Sequence, residues 1–167
     1  MYTTISDILK EWNREAMLTE KVFEGLTDES LNQKVYPEGR TLGRIAWHIT
    51  TGLPEYLAEF GLKIDLVENS ADVPTSAEVI KVTLRDVCEK AAIALEQQWT
   101  DESLKMVQNA FGRQETNAQI VMGLIKHNAH HRGQMTVLLR QAGIKPFGVY
   151  GPPKEDWSQL GVENPPL

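Results

Sequence analysis

At 167 residues and 41% hydrophobic, the chain can bury one core and is short for two, so one domain over residues 1–167 is expected. A net charge of -6, with its basic residues spread rather than striped, excludes the concentrated basic face that a nucleic-acid partner requires. One cysteine, Cys88, excludes an intrachain disulfide and fits a reducing cytoplasm, and no apolar run approaches the length of a membrane span.

Ile5, Ile8, Trp12, Ala16, Thr19, Phe23 and Leu26 recur at intervals of three and four, which predicts an amphipathic helix from about Thr4 to Leu26. The same period in Leu42, Ile45, Ile49, Leu53 and Leu57 predicts a second helix from about Thr41 to Phe60, ended by Gly61. Pro54 lies inside it and cannot donate to the Thr50 carbonyl, so a kink or break beside Gly52 is expected. The stretch from Leu62 to Pro74 has no helical period and reads as a crossover loop. Thr75-Ser76-Ala77-Glu78 has the form of a capping box and opens a third helix marked by Ile80, Leu84, Val87, Ala91 and Leu95, with Cys88 as a small buried residue within it. The fourth helix runs from near Thr116 through Leu124, His127, His131 and Leu138 until Gly143 and Pro146 stop it. No segment shows a period-two alternation, so no strand is expected. These elements make an all-α chain, a four-helix bundle with a crossover loop.

Leu26-Thr27-Asp28-Glu29-Ser30-Leu31 recurs as Trp99-Thr100-Asp101-Glu102-Ser103-Leu104, and Gly39-Arg40 recurs as Gly112-Arg113 at the same offset. Each copy runs into an apolar helix that carries histidine. We read an approximate internal duplication, two helix pairs facing each other, each with a short helical turn after its Thr. The spacing drifts downstream, which excludes a fixed-period solenoid.

The residues with chemistry are His48, His127 and His131. A helix sets residues i and i+4 side by side, with Cβ atoms about 5 to 6 Å apart. His127 and His131 can thus grip one divalent cation, and His48 from a facing helix would complete a three-nitrogen site with positions open to water or substrate. The competing reading is a set of hydrogen-bonded core histidines, since each buried polar group left unsatisfied costs roughly 1 to 3 kcal/mol. His130 projects about 100° from His131 and reads as surface or as support behind the ligands. Gln134 returns to the His127 and His131 face, where it is a candidate to orient a ligand or bind substrate. Glu55, two turns after His48, is the nearest candidate general acid or base. Arg132 reads as a surface or interface cation, and Gly133 as a point of close backbone approach, because glycine costs about 1 kcal/mol inside a helix.

Familiar motifs fail on particular residues. Asn128 stands where a zinc-protease helix needs its Glu base, and no histidine has a Glu three residues before it, as a di-iron bundle requires. GxSxG, P-loop and GxGxxG patterns are absent. The segment from Pro146 to Pro153, followed by Trp157, is too rich in proline and glycine for a helix, yet it carries aromatics with surface to cover. Two roles are open to it: packing on the outside of the bundle or a partner, or a lid above the metal.

His48, with His127-x-x-x-His131-Arg132-Gly133-Gln134 followed by Leu139-Arg140-Gln141-Ala142-Gly143-Ile144, resembles the DinB-like superfamily over nearly the whole chain. The resemblance implies a four-helix bundle, often a homodimer, in which His48, His127 and His131 hold a divalent metal, zinc or nickel. Similar members include thiol S-transferases that use bacillithiol or mycothiol, a mycothiol-dependent maleylpyruvate isomerase, and proteins labelled as metal-dependent hydrolases. Iron-binding relatives in ergothioneine synthesis carry HxxxHxE, and Gly133 stands at the place of that Glu, which argues against oxygenase chemistry. Function transfers less well than fold. Two expectations follow: a metal-dependent S-transferase or hydrolase acting on a small molecule, with a low-molecular-weight thiol as candidate cofactor, or a non-catalytic dimeric stress-response or binding module with a structural metal. Neither a nucleic-acid nor a membrane partner is expected.

Overall fold

The protein is described here by a computed structural model covering residues 2–161. Four long helices, α1 (Ile5–Phe23), α2 (Leu42–Glu59), α3 (Ala77–Gln98) and α4 (Asn117–Gln141), form the bundle. Short 3-10 helices lie at Ser30–Asn32, Ser103–Lys105 and Lys154–Leu160. α1 and α2 each pack against both α3 and α4, which leaves α1 diagonal to α2 and α3 diagonal to α4.

Hydrogen bonds at the helix ends give the directions. The first amide of α1, from Ile5, donates to Asp101 Oδ1 beyond the end of α3, at 2.8 Å. The first amide of α3, from Ala77, donates to Asp28 Oδ1 beyond the end of α1, at 2.7 Å. α1 and α3 are therefore antiparallel. Gln98, at the end of α3, exchanges two hydrogen bonds with the backbone of Lys63 just after α2, while Arg44, at the start of α2, donates to the Ala71 carbonyl ahead of α3. α2 and α3 therefore run parallel, and the loop between them returns along the bundle as the expected crossover.

The repeated hexapeptide acquires a physical meaning in this arrangement. Ser30 and Ser103 make the same three bonds to Thr27 and Thr100: each hydroxyl accepts from the Thr amide and donates to the Thr carbonyl, and each Ser amide donates to the Thr hydroxyl. The Asp that follows each Thr then caps the first helix of the other half, so the two halves satisfy each other's free amides. Thr41 and Thr116 open α2 and α4 as matching N-caps. Aligned on those caps, His48 falls opposite Gly123 and not opposite His127. The histidines thus come from both halves but not from equivalent positions.

Three expectations are corrected. A hairpin, β1 (Val107–Ala110) and β2 (Arg113–Thr116), pairs antiparallel ahead of α4, joined by Phe111 and Gly112, both at positive φ. Two-residue hairpin loops need that conformation, and it is hidden from sequence when Phe fills the place usually given to Asn or Asp. The cap of α3 is Ser76, which accepts from the Val79 amide, with Asp28 accepting from the Ala77 amide, in place of the expected capping box. α2 continues as one helix through Pro54, so the break expected beside Gly52 does not occur.

The core joins all four helices, and Trp12 Nε1 ties α1 to α3 by donating to the Cys88 carbonyl at 3.1 Å. Burial pushes the Cys88 thiol up to about 12, so the chain's one thiol is no nucleophile at neutral pH. No described helix is long and apolar enough to cross a membrane. After α4 the chain doubles back along it, held by Arg140 on Glu155 (2.8 and 3.1 Å), by the Lys145–Asp156 ion pair and by Trp157 Nε1 on the Pro152 carbonyl. Part of this tail is the 3-10 helix noted above, where no helix was expected. It borders Ala129, Gly133, Thr136 and Arg140, roughly opposite His127 and His131 around α4. The tail is a cover on the outside of the bundle, and not a lid over the histidines.

Candidate metal centre

α4 begins in a capping box: Thr116 Oγ1 accepts from the Gln119 amide at 3.3 Å, and Gln119 Oε1 accepts from the Thr116 amide at 2.8 Å. The helix that follows carries His127 and His131 one turn apart. Gln108 on β1 donates both to Asn117 Oδ1 at the start of α4, at 2.6 Å, and to the Phe60 carbonyl that ends α2, so α2 and α4 run antiparallel and His48 approaches the pair from the neighbouring helix.

The three rings converge on their Nε2 atoms. His127 Nε2 lies 3.2 Å from His48 Nε2 and 3.1 Å from His131 Nε2, and one ligand atom from each residue falls within 4.8 Å of the others. The rings stand nearly perpendicular, at 80° to 90°. His131 is buried, His48 half-buried and His127 exposed, so the cluster opens to solvent at the α2–α4 groove.

Gln134 Oε1 lies 2.7 Å from His131 Nδ1. An amide oxygen only accepts, so His131 carries its proton on Nδ1 and presents a bare Nε2 to His127. Partial desolvation where the rings crowd together is the first cause that lowers the pKa of all three, even of the otherwise exposed His127, and takes His48 to about 4. Neighbouring imidazoles and the Arg40 charge lower them further, against which the Gln134 bond raises His131. All three are neutral at pH 7, the form that binds metals. With neutral rings, one proton on His127 Nε2 cannot point at both neighbours, and without that proton its lone pair meets the bare His131 Nε2. A hydrogen-bonded triad therefore leaves one short contact unfavourable, whereas a cation among the lone pairs satisfies them all. Metal–nitrogen bonds of about 2.0 to 2.1 Å set neighbouring ligand nitrogens roughly 2.9 to 3.4 Å apart, for right-angled to tetrahedral geometry. The distances of 3.1 and 3.2 Å lie inside that range, and the cluster could hold a divalent ion.

Beside His131 is a cleft of about 550 Å³ between α4 and the connection from α1 to α2. Its walls are Val35, Tyr36, Gly39 and Arg40 from the connection, Ile45 from α2, and His130, Gln134, Val137 and Leu138 from α4. His130 is thus at the cleft, exposed, with its ring 5.1 Å from that of His131. Glu55 is exposed and lies outside both the cluster and the cleft, so the structure does not bring it to the histidines.

Arg132 is the largest departure from the sequence reading. It is 1% exposed, and no surface cation. Nη1 donates to the Glu15 carbonyl at 2.8 Å and to Thr19 Oγ1 at 2.9 Å, and Nη2 pairs with the buried Glu15 carboxylate, which also accepts from the Tyr150 hydroxyl at 2.7 Å. A side chain so tied to α1 fixes the rotation of α4 about its axis, and with it the direction of His131 next door. The signal was present in the sequence: Glu15 falls at the helical spacing of Trp12, Thr19 and Val22, so a charge lay inside the apolar stripe of the first helix.

The DinB family model matches residues 1–165. The uncharacterized protein YrdA of Bacillus subtilis (strain 168) is 41% identical over 167 residues, covering 100% of both chains. The crystal structure of a DinB-like protein from Bacillus cereus ATCC 10987 superposes with a TM-score of 0.85 at 46% identity, over 90% of this chain and 100% of that one. The DinB-like protein YjoA of Bacillus subtilis shares the fold at a TM-score of 0.65 and 21% identity, over 82% of this chain and 92% of its own. With its helix order, its histidine cluster and these matches together, the chain belongs to the DinB family.

Proposed function

We propose that His48, His127 and His131 bind one divalent cation, zinc or nickel, with coordination positions left open, and that the protein is a metal-dependent enzyme performing thiol S-transfer or hydrolysis on a small molecule. The observation that carries this reading is the convergence of three neutral imidazoles on Nε2 atoms 3.1 and 3.2 Å apart, with no carboxylate in the cluster. When bound, such an ion acts as a Lewis acid that lowers the pKa of a water or a thiol toward neutrality.

The chain's own residues set the conditions for that chemistry. Gln134 holds the His131 ring by its far nitrogen, the support that metal-binding histidines ordinarily receive. Ile45 and Leu138 give the cleft a buried apolar wall against which the body of a substrate can lie. His130, exposed at the same cleft, is placed to exchange a proton with a bound molecule. Cys88 is buried, so S-transfer here requires a thiol from outside the chain.

The test is turnover by zinc- and nickel-loaded protein, with low-molecular-weight thiols plus an activated aryl halide in one assay and p-nitrophenyl esters in another. Activity that disappears on chelation and in His127→Ala, and returns with metal to wild type alone, supports the enzyme. Metal-loaded protein inert in both assays would favour the structural metal of a binding module.

A further inference from the structure

We propose that the cleft beside the histidines is a receptor for small organic carboxylates, with Arg40 as the group that recognises the acid. The inference rests on the metal reading above for what lies at the other end of the bound molecule, and it adds the class of substrate.

Arg40 differs from every other arginine in the chain. Of seven, six have a carboxylate or carbonyl partner, whereas Arg40 has none among the described residues. Scarcity of acids is not the reason, since the chain holds 23 Asp and Glu against 17 Lys and Arg. The internal repeat supplies a comparison, because Gly39-Arg40 recurs as Gly112-Arg113. There, Arg113 is neutralised by Glu115 at 3.1 Å. The copy left without an acid is the one that lines the cleft at the histidines.

The guanidinium also has a fixed base. The Gly39 amide donates to the Tyr36 carbonyl at 2.9 Å, Lys34 Nζ donates to the Pro37 carbonyl at 3.1 Å, and the Leu42 amide donates to the Gln33 carbonyl at 2.9 Å. A Cβ on Gly39 would sit 3.2 Å from the Tyr36 ring, so the absence of a side chain there lets the ring close over the turn. Arg40 therefore leaves a tied loop, with less freedom to lose on binding. Its charge is felt at all three histidine rings, where it disfavours protonation.

One guanidinium suits a singly charged, planar carboxylate, which it can hold by two parallel hydrogen bonds. A dianionic phosphate would call for a second cation, and the nearby Lys34 amine is engaged on its own loop. The same cleft is lined by Ile45, Val137 and Leu138, apolar surface that suits an apolar body for the rest of the ligand. The geometry describes an acid with an apolar body, its carboxylate on Arg40 and its other end toward the open side of the histidines.

The experiment compares 3-phenylpropanoate with 3-phenylpropanamide, equal in shape and different in charge, by calorimetric titration of zinc-loaded wild type, Arg40→Gln and Arg40→Lys, and of metal-free wild type. The expected result is binding of the acid at least about tenfold tighter than the amide, lost in Arg40→Gln, partly kept in Arg40→Lys, weakened by salt and retained without metal. Equal binding of acid and amide, no binding of the acid at about 10 mM, or acid binding unchanged in Arg40→Gln would each overturn the inference. Acid binding that vanishes with the metal and ignores Arg40 would make the carboxylate a metal ligand, which also overturns it. Failure of the metal reading shows separately, as absence of zinc uptake by the same wild-type protein.

Discussion

Gln134 Oε1 lies 2.7 Å from His131 Nδ1, and this bond fixes which nitrogen of His131 faces the other two histidines. Gln134→Ala frees the ring to rotate and to exchange tautomers. Divalent-metal affinity is expected to fall about 10- to 100-fold, with helix content unchanged by circular dichroism. Affinity equal to wild type would mean that the bond orients nothing of consequence.

Proton uptake by the cluster is the second expectation. His48 is lowered from 6.5 to about 4, first by burial and then by His131 and His127, and the other two rings are lowered as well. In metal-free protein the unfolded chain takes up these protons near pH 6.5 while the folded chain still refuses them. The cluster thus leaves stability unchanged above about pH 6.5 and erodes it as the pH falls toward 4. Ring-proton NMR of the metal-free protein should give a His48 midpoint near 4, and an ordinary midpoint near 6.5 would contradict the burial argument.

The buried pair of Arg132 and Glu15 sets the third. Glu15→Ala strands a guanidinium that is 1% exposed, and the expected loss is about 3 to 5 kcal/mol in urea unfolding. Replacing both, with Glu15→Leu and Arg132→Met, removes the uncompensated charge and should cost less than the single change. A single variant as stable as wild type would show that the pair does not anchor α4.

Gly133 was expected to mark close backbone approach, yet nothing lies within 4 Å of where its Cβ would be. Gly133→Ala should therefore stabilise the protein by roughly 0.5 to 1 kcal/mol, through helix propensity alone. A loss of stability would reveal a contact in this region that the isolated chain does not make.

Long-period features were legible in the sequence and long-range polar partners were not. The stripes of Ile8, Leu84 and Leu124 announce their helices because helix formation and burial share one period. The repeat after Thr27 and Thr100 was visible as letters, but its meaning was not, since Asp28 and Asp101 find their amides on Ala77 and Ile5, far off in the chain. Arg132 reads as exposed from its own surroundings, and the one sequence sign against that, Glu15 inside the apolar stripe of the first helix, lies 117 residues away. His48, His127 and His131 were picked out by residue type and spacing. Arg40 carries no mark in the sequence, because what distinguishes it is the lack of a partner among the described residues, a property of the fold that no sequence window contains.

The most direct measurement is metal content by elemental analysis, with zinc and nickel titrations, of wild type, His48→Ala, His127→Ala and Gln134→Ala. One ion per wild-type chain, with uptake abolished or nearly so in both histidine variants while their helices remain formed, is the expected result. Undiminished metal in His48→Ala or His127→Ala, or none in wild type, would contradict a three-histidine centre.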